Sequence, residues 1–127
     1  AFDIKQKEVY YLEIRWAELV KLRQDGISIG DLPKYPAVRR DLALLIDQSI
    51  EYAQLENLAF QTERKLLKQV KLFDVYEGKG LPEGKKSYAL AFSLRDESKT
   101  LTDKEVDKTM NRLMERFKRE VGAELRG

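Results

Sequence analysis

The chain has no cysteine and no histidine among its 127 residues, and only three prolines. Without cysteine there is no disulfide framework, no thiolate nucleophile and no thiolate zinc site. Without histidine the usual general base near neutral pH is missing, and with it the usual triad and most transition-metal sites. No apolar run nears the roughly 20 residues that a membrane-spanning helix needs. The start Ala1-Phe2-Asp3-Ile4-Lys5 lacks the charged region and long apolar stretch of a signal peptide. A cysteine-free chain is compatible with the cytoplasm, which is the expected location. An initiating methionine is absent too, so the chain is expected to be a piece excised from something larger. Excess charge of one sign is also lacking: 24 Lys and Arg face 22 Asp and Glu, a net of +2. A polyanionic partner would have to be held by local contacts and not by bulk charge.

What is present is a chain with 43% hydrophobic and 36% charged residues, the balance of a hydrated domain with a real core. The stretch Gly26 to Pro33 reads as a linker. Before it, Glu8 to Trp16 alternates, with Tyr10, Leu12, Ile14 and Trp16 on one face, which predicts a strand. A short helix is expected over Ala17 to Gln24. One strand and one helix cannot build a core, so residues 1–31 are expected to be the end of a preceding module. If that apolar face is exposed, any dimer of the isolated chain is expected to use it.

After Pro36 the pattern predicts a strand over Arg40–Asp47 and a helix over about Glu51–Lys68. Leu55, Leu58, Ala59, Thr62 and Leu66 form the helix's buried stripe. A second strand follows over Val70–Glu77, then a hairpin marked by Gly78, Gly80, Pro82 and Gly84, then a third strand over Lys86–Arg95. Thr102-Asp103-Lys104-Glu105 is a capping box that opens the last helix. Val106, Met110, Leu113, Met114, Phe117 and Val121 lie along its core face, the methionines as filler. Gly122 suits its left-handed stop, and Ala123–Arg126 reads as a final strand. The order β-α-β-β-α-β is the α+β ferredoxin-like sandwich: a four-stranded antiparallel sheet with two helices on one face.

Strand parity then picks out a site on the helix-free face. Tyr88, Leu90, Phe92 and Leu94 belong under the helices, so Ser87, Ala89, Ala91 and Ser93 form a row of small side chains on the other side. In the second strand, Phe73 and Val75 are assigned to the core, which places Asp74 and Tyr76 on the open face beside Ser87. An aromatic ring, a carboxylate and a hydroxyl together suit one unstacked base: the ring stacks, and the acid and alcohol bond its edge. The plainer reading makes Tyr76 an ordinary strand aromatic and Asp74 a solvated charge.

Five segments carry a family resemblance. They are Lys34 to Ala43, Phe73-Asp74-Val75-Tyr76-Glu77-Gly78, Gly84-Lys85-Lys86-Ser87, Lys99 to Val106, and Gly122-Ala123-Glu124-Leu125-Arg126. In this order they resemble the ferredoxin-fold anticodon-binding domain of bacterial phenylalanyl-tRNA synthetase β subunits, over about Leu32 to Gly127. The resemblance implies a module that holds the anticodon loop of phenylalanine tRNA within an (αβ)₂ enzyme. The catalytic centre, with its ATP and Mg²⁺, then lies in the α subunit. This chain itself would have no catalytic residue, no metal and no cofactor. The family's contacts to the first anticodon base fall on Asp74, Tyr76 and Ser87, with Ala89 beside them.

Other features have two readings each. Arg39 and Arg40 would hold RNA phosphates, or pair with carboxylates such as Asp41 or Asp96. Lys79, Lys85 and Lys86 would make a basic fringe on the hairpin, or merely solvate it. Asp41, Asp47, Asp74 and Asp96 fall on separate elements and make no calcium loop. Two other functions fit the topology less well. A phosphate hydrolase needs an anion-binding loop with Arg and Asn after the first strand, where Asp47-Gln48-Ser49-Ile50 stands instead. A ligand-sensing or oligomerising regulatory module usually has glycine at that same turn, and none is there.

Overall fold

The computed structural model describes residues 10–21 and 30–126. It divides into two units, residues 1–31 and 32–127. Among the described residues of the first unit only helix α1 (Trp16–Lys21) is regular, and it buries no side chain. The strand expected over Glu8 to Trp16 does not form where it can be followed: Tyr10 to Arg15 are irregular and Trp16 opens α1. An alternating pattern makes a strand only when another strand completes its hydrogen-bond ladder. Residues 8–9, the expected helical end from Leu22 to Gln24, and residues 26–29 of the expected linker lie outside the described residues.

The second unit contains strands β1 (Val38–Asp47), β2 (Leu67–Tyr76), β3 (Lys85–Leu94) and β4 (Glu124–Leu125), and helices α2 (Tyr52–Thr62) and α3 (Asp103–Val121). The sheet runs β2-β3-β1-β4 with every pair antiparallel. This is the βαββαβ ferredoxin-like arrangement that the sequence predicts. The core lies between one sheet face and the two helices. Leu44, Ile46, Leu90, Phe92 and Leu94 meet Leu55 and Ala59 of α2 and Val106, Leu113 and Phe117 of α3 there. Each such large side chain, removed from water, stabilises the fold by about 1.5–3 kcal/mol. The rings of Phe92 and Phe117 sit 6.1 Å apart and tilted.

Local chemistry sets the ends of the elements. At the N-terminus of α3 the Glu105 carboxylate accepts from the Thr102 N–H at 3.0 Å, while the Thr102 hydroxyl faces the Glu105 N–H. Gly122 ends α3 at φ 63°, a left-handed position that costs other residues about 1–2 kcal/mol. Asp47 closes the turn after β1, accepting from the Ser49 N–H and hydroxyl at 3.0 and 2.7 Å.

Helix α2 is shorter than the expected Glu51–Lys68. It stops at Thr62 because Glu63, 7% exposed and paired with Arg112 of α3, accepts the N–H groups of Lys65 and Leu66. That turn releases the chain into β2, where Leu67 opposes Leu94. Leu66 therefore belongs to the connection and not to the helical stripe. Likewise the last strand is two residues long, shorter than the expected Ala123–Arg126.

The largest departure is in β2. Leu72 opposes Leu90 but Asp74 opposes Ala89, so Phe73 is an extra residue, a β-bulge. Phe73 is not in the core as expected. It is 53% exposed and lies on the helix-free side, where the Arg39 guanidinium covers its ring. Val75 opposes Tyr88 on the helix side, as expected, yet the helices do not reach it and it stays half exposed.

Candidate nucleic-acid interface

The helix-free face is built from rows set by strand register. One row is Leu45, Ser87 and Tyr76; the next is Ala43, Ala89 and Asp74; then come Asp41, Ala91 and Lys71; last are Arg39, Ser93 and Gln69. The bulge decides the membership of the first two rows. Val70 and Leu72 point to the core, and without the inserted Phe73 the alternation would turn Asp74 and Tyr76 under the helices. With it, Asp74 and Tyr76 come to the open side beside Ser87 and Ala89.

Tyr76 is held at two points. Its hydroxyl donates to the Lys79 carbonyl at 2.7 Å. The hairpin can curl back this way because Gly78 and Gly80 take positive φ, 145° and 92°. Over the ring stands the Arg126 guanidinium, 4.9 Å from the centroid. Arg126 follows β4, and its N–H donates to the Ala43 carbonyl at 2.8 Å. Its side chain thus reaches from the far edge strand towards Tyr76, across rows that carry only alanine at 43 and 89. A row of small side chains leaves the space for that crossing.

A second pair of the same kind stands at the other end of the face. Arg39 covers Phe73, with 5.4 Å from the guanidinium carbon to the ring centroid. Asp41 fixes that guanidinium by two bonds, Nε to Oδ1 at 2.8 Å and Nη2 to Oδ2 at 3.2 Å. This hydrogen bonding and the charge of the carboxylate also raise the Arg39 pKa.

The predicted site residues are therefore distributed unevenly. Asp74, Tyr76, Ser87 and Ala89 share neighbouring rows, with Asp74 exposed and Tyr76 partly so. Ser87 is only 4% exposed, at the floor between Leu45 and Tyr76. Arg39 is on this face, but beside Phe73. Arg40 is on the opposite side, where it donates to the Arg39 carbonyl at 3.1 Å and to Asp103 of α3 at 3.4 Å. Consecutive strand residues cannot share a face, so the two arginines never act as one pair. Lys86 is not part of a hairpin fringe: it is buried on the helix side, its ammonium 4.6 Å from the Tyr88 ring centroid. Arg126 was not among the expected contacts, although it ends one of the five resembling segments. Among the described residues no cluster of three or more acidic side chains could hold a metal ion, and no helix is long and apolar enough to cross a membrane.

Fold and face together define a class: a ferredoxin-like α+β domain with an arginine-capped aromatic platform on its helix-free side. The model of the ferredoxin-fold anticodon binding domain matches residues 33–126, and the chain belongs to that family. Its relatives include phenylalanine–tRNA ligase β subunits. That of Bacteroides fragilis is 52% identical over 127 residues, covering 99% of this chain. Those of Porphyromonas gingivalis and Geobacillus kaustophilus are 46% and 41% identical, over 98% and 95% of the chain. In all three the match spans about 15% of the relative's length.

Proposed function

We propose that this domain holds the anticodon loop of phenylalanine tRNA for a phenylalanine–tRNA ligase and performs no chemistry of its own. The observation that carries this reading is the Tyr76 ring on the helix-free face, with Asp74 exposed in the next row and the Arg126 cation above it. A base stacked between ring and guanidinium needs two stacking gaps, together about 7 Å. The present 4.9 Å is too narrow, so the base lifts Arg126 by about 2 Å or displaces it. Asp74 then accepts from N–H groups on the base edge, and guanine has such donors. Ser87 bonds only a base that lies flat against the floor, and Ala89 keeps that floor low.

In this proposal the ligation belongs to the rest of the enzyme, an (αβ)₂ assembly in the cytoplasm. ATP and Mg²⁺ act at the α subunit, and this chain only positions the tRNA. Residues 1–31 are the end of the preceding β-subunit module and residues 32–127 the anticodon-binding domain.

The test is binding of a phenylalanine anticodon stem-loop to the wild type, to Tyr76→Ala and to Asp74→Asn. Loss of one stacked base weakens binding roughly 5- to 150-fold. Tyr76→Ala is expected in that range, and Asp74→Asn is expected to relax the preference for guanine. Equal binding by all three proteins would refute the proposal.

A further inference from the structure

The open face has two aromatic rings, and the proposed function uses one. Phe73 is 53% exposed although it is among the most apolar side chains of the unit. It lines a groove of about 220 Å³ with Arg39, Gln69, Lys71, Ala91 and Ser93. Three features set this groove apart from an ordinary exposed ring. The bulge inserts Phe73 into β2 on the side where Asp74 and Tyr76 also lie. The ring is capped by a guanidinium that Asp41 aligns through two bonds. Only Ala91 and Ser93 separate the β1 arginine from the β2 ring, so the floor beneath them is flat.

We infer that Phe73, Arg39 and Asp41 form a second nucleotide subsite, which takes the base next to the one held at Tyr76. This rests on the proposal that the face binds an anticodon loop. The two rings lie three positions apart along β2, about 10 Å at 3.3 Å per residue and less across a bulge. Adjacent splayed nucleotides can span that distance. Sheets that read single strands commonly use more than one aromatic in this way, each stacking one base. The charge is complementary: Arg39 and Lys71 bring two cations to the groove, and of the two acids near it Asp41 is engaged by Arg39 while Asp74 lies in the next row, beside Tyr76. Entry follows the same geometry as at Tyr76. The 5.4 Å between Arg39 and the ring must open by roughly 1.5 Å to admit a base, and Arg39 swings on its pair with Asp41. The ring has a π-face for any base, so this subsite supplies affinity with little base preference.

A double-mutant cycle on the 127-residue chain tests this. The probes are the phenylalanine anticodon stem-loop and versions with the base removed at one anticodon position at a time. The proteins are the wild type, Phe73→Leu, Asp41→Asn and Tyr76→Ala. Phe73→Leu is expected to weaken intact RNA at least about five-fold. One abasic position should cost nothing further in Phe73→Leu, and a neighbouring one nothing further in Tyr76→Ala. Asp41→Asn should weaken the same base as Phe73→Leu, and because Asp41 is exposed it tests the subsite even if Phe73→Leu folds poorly. If Tyr76→Ala lowers affinity but Phe73→Leu and Asp41→Asn match wild type at every abasic position, the second subsite is refuted and the anticodon proposal stands. If the stem-loop fails to bind, or binds Tyr76→Ala unchanged, both fall.

Discussion

Small side chains do as much on this face as the aromatic ones. Ala43 and Ala89 leave the gap through which Arg126 reaches Tyr76, and Ala91 with Ser93 leaves the gap for Arg39 to reach Phe73. A stacking surface is useful only if a flat base can lie along it, and a branched side chain in those rows would prop the base away. Ala89→Leu is accordingly expected to weaken stem-loop binding about as much as loss of the stack, roughly ten-fold. It should change the unfolding free energy by less than about 1 kcal/mol, because the new side chain points away from the core. Titration of the labelled stem-loop together with a urea melt checks both parts. A loss of stability without a loss of binding would contradict the role given to the alanines.

At the scale of elements, a single inserted residue determines which way β2 shows Asp74 and Tyr76. Apolar residues at 70 and 72 follow one parity and those at 73 and 75 the other. That slip is visible in the sequence, and it marks where the ladder must gain a residue. Starting the alternation from Phe73 and Val75 puts Asp74 and Tyr76 on the correct face but Phe73 on the wrong one. Starting from Val70 and Leu72 does the reverse. Helix ends were more legible when the signal was local. The box at Thr102 and Glu105 and the stop at Gly122 need only neighbours in sequence. The end of α2 was not legible, because it depends on Glu63 meeting Arg112, 49 residues away.

The α3 cap also predicts a pH dependence. The bond from Lys99, with those from the Thr102 N–H and hydroxyl, lowers Glu105 from 4.5 to about 2. The folded state therefore holds this carboxylate charged where the unfolded chain has begun to bind a proton. Its stabilisation is complete above about pH 4.5 and is lost as the pH falls towards 2. Glu105→Gln should lower stability at neutral pH and flatten the acid limb of a plot of urea midpoint against pH. Some slope should remain, since Asp47 and Asp96 are also lowered, by the Ser49 and Ser98 turns. An unchanged acid limb would disprove the assignment.

For the molecule as a whole, every member of the hydrophobic cluster among the described residues lies between Val38 and Ala123. Residues 32–127 are therefore expected to fold alone, with a melting temperature within a few degrees of the 127-residue chain and the same affinity for the stem-loop. Calorimetry and the same titration check this. A truncated chain that fails to melt cooperatively would show that residues 1–31 complete the core. The small net charge of +2 adds a condition. With so little long-range attraction, the proposed binding would depend on the few cations placed over the rings, and its salt dependence should correspond to only a few phosphate contacts.

Within residues 32–127 the order of elements, the buried faces of β1, β3 and α3, and the caps of α3 were determined by sequence alone. Each depends on residues two to four positions apart, and the periods of strand and helix are local properties of the backbone. Only the tertiary structure decided that Phe73 faces solvent, that Arg39 and Arg40 part to opposite sides, that Arg126 covers Tyr76 and that Trp16 begins a helix. Those outcomes rest on which strand finds which partner and in what register. Register is a competition among distant segments for the same hydrogen bonds and the same core, and no stretch of the chain contains its result by itself.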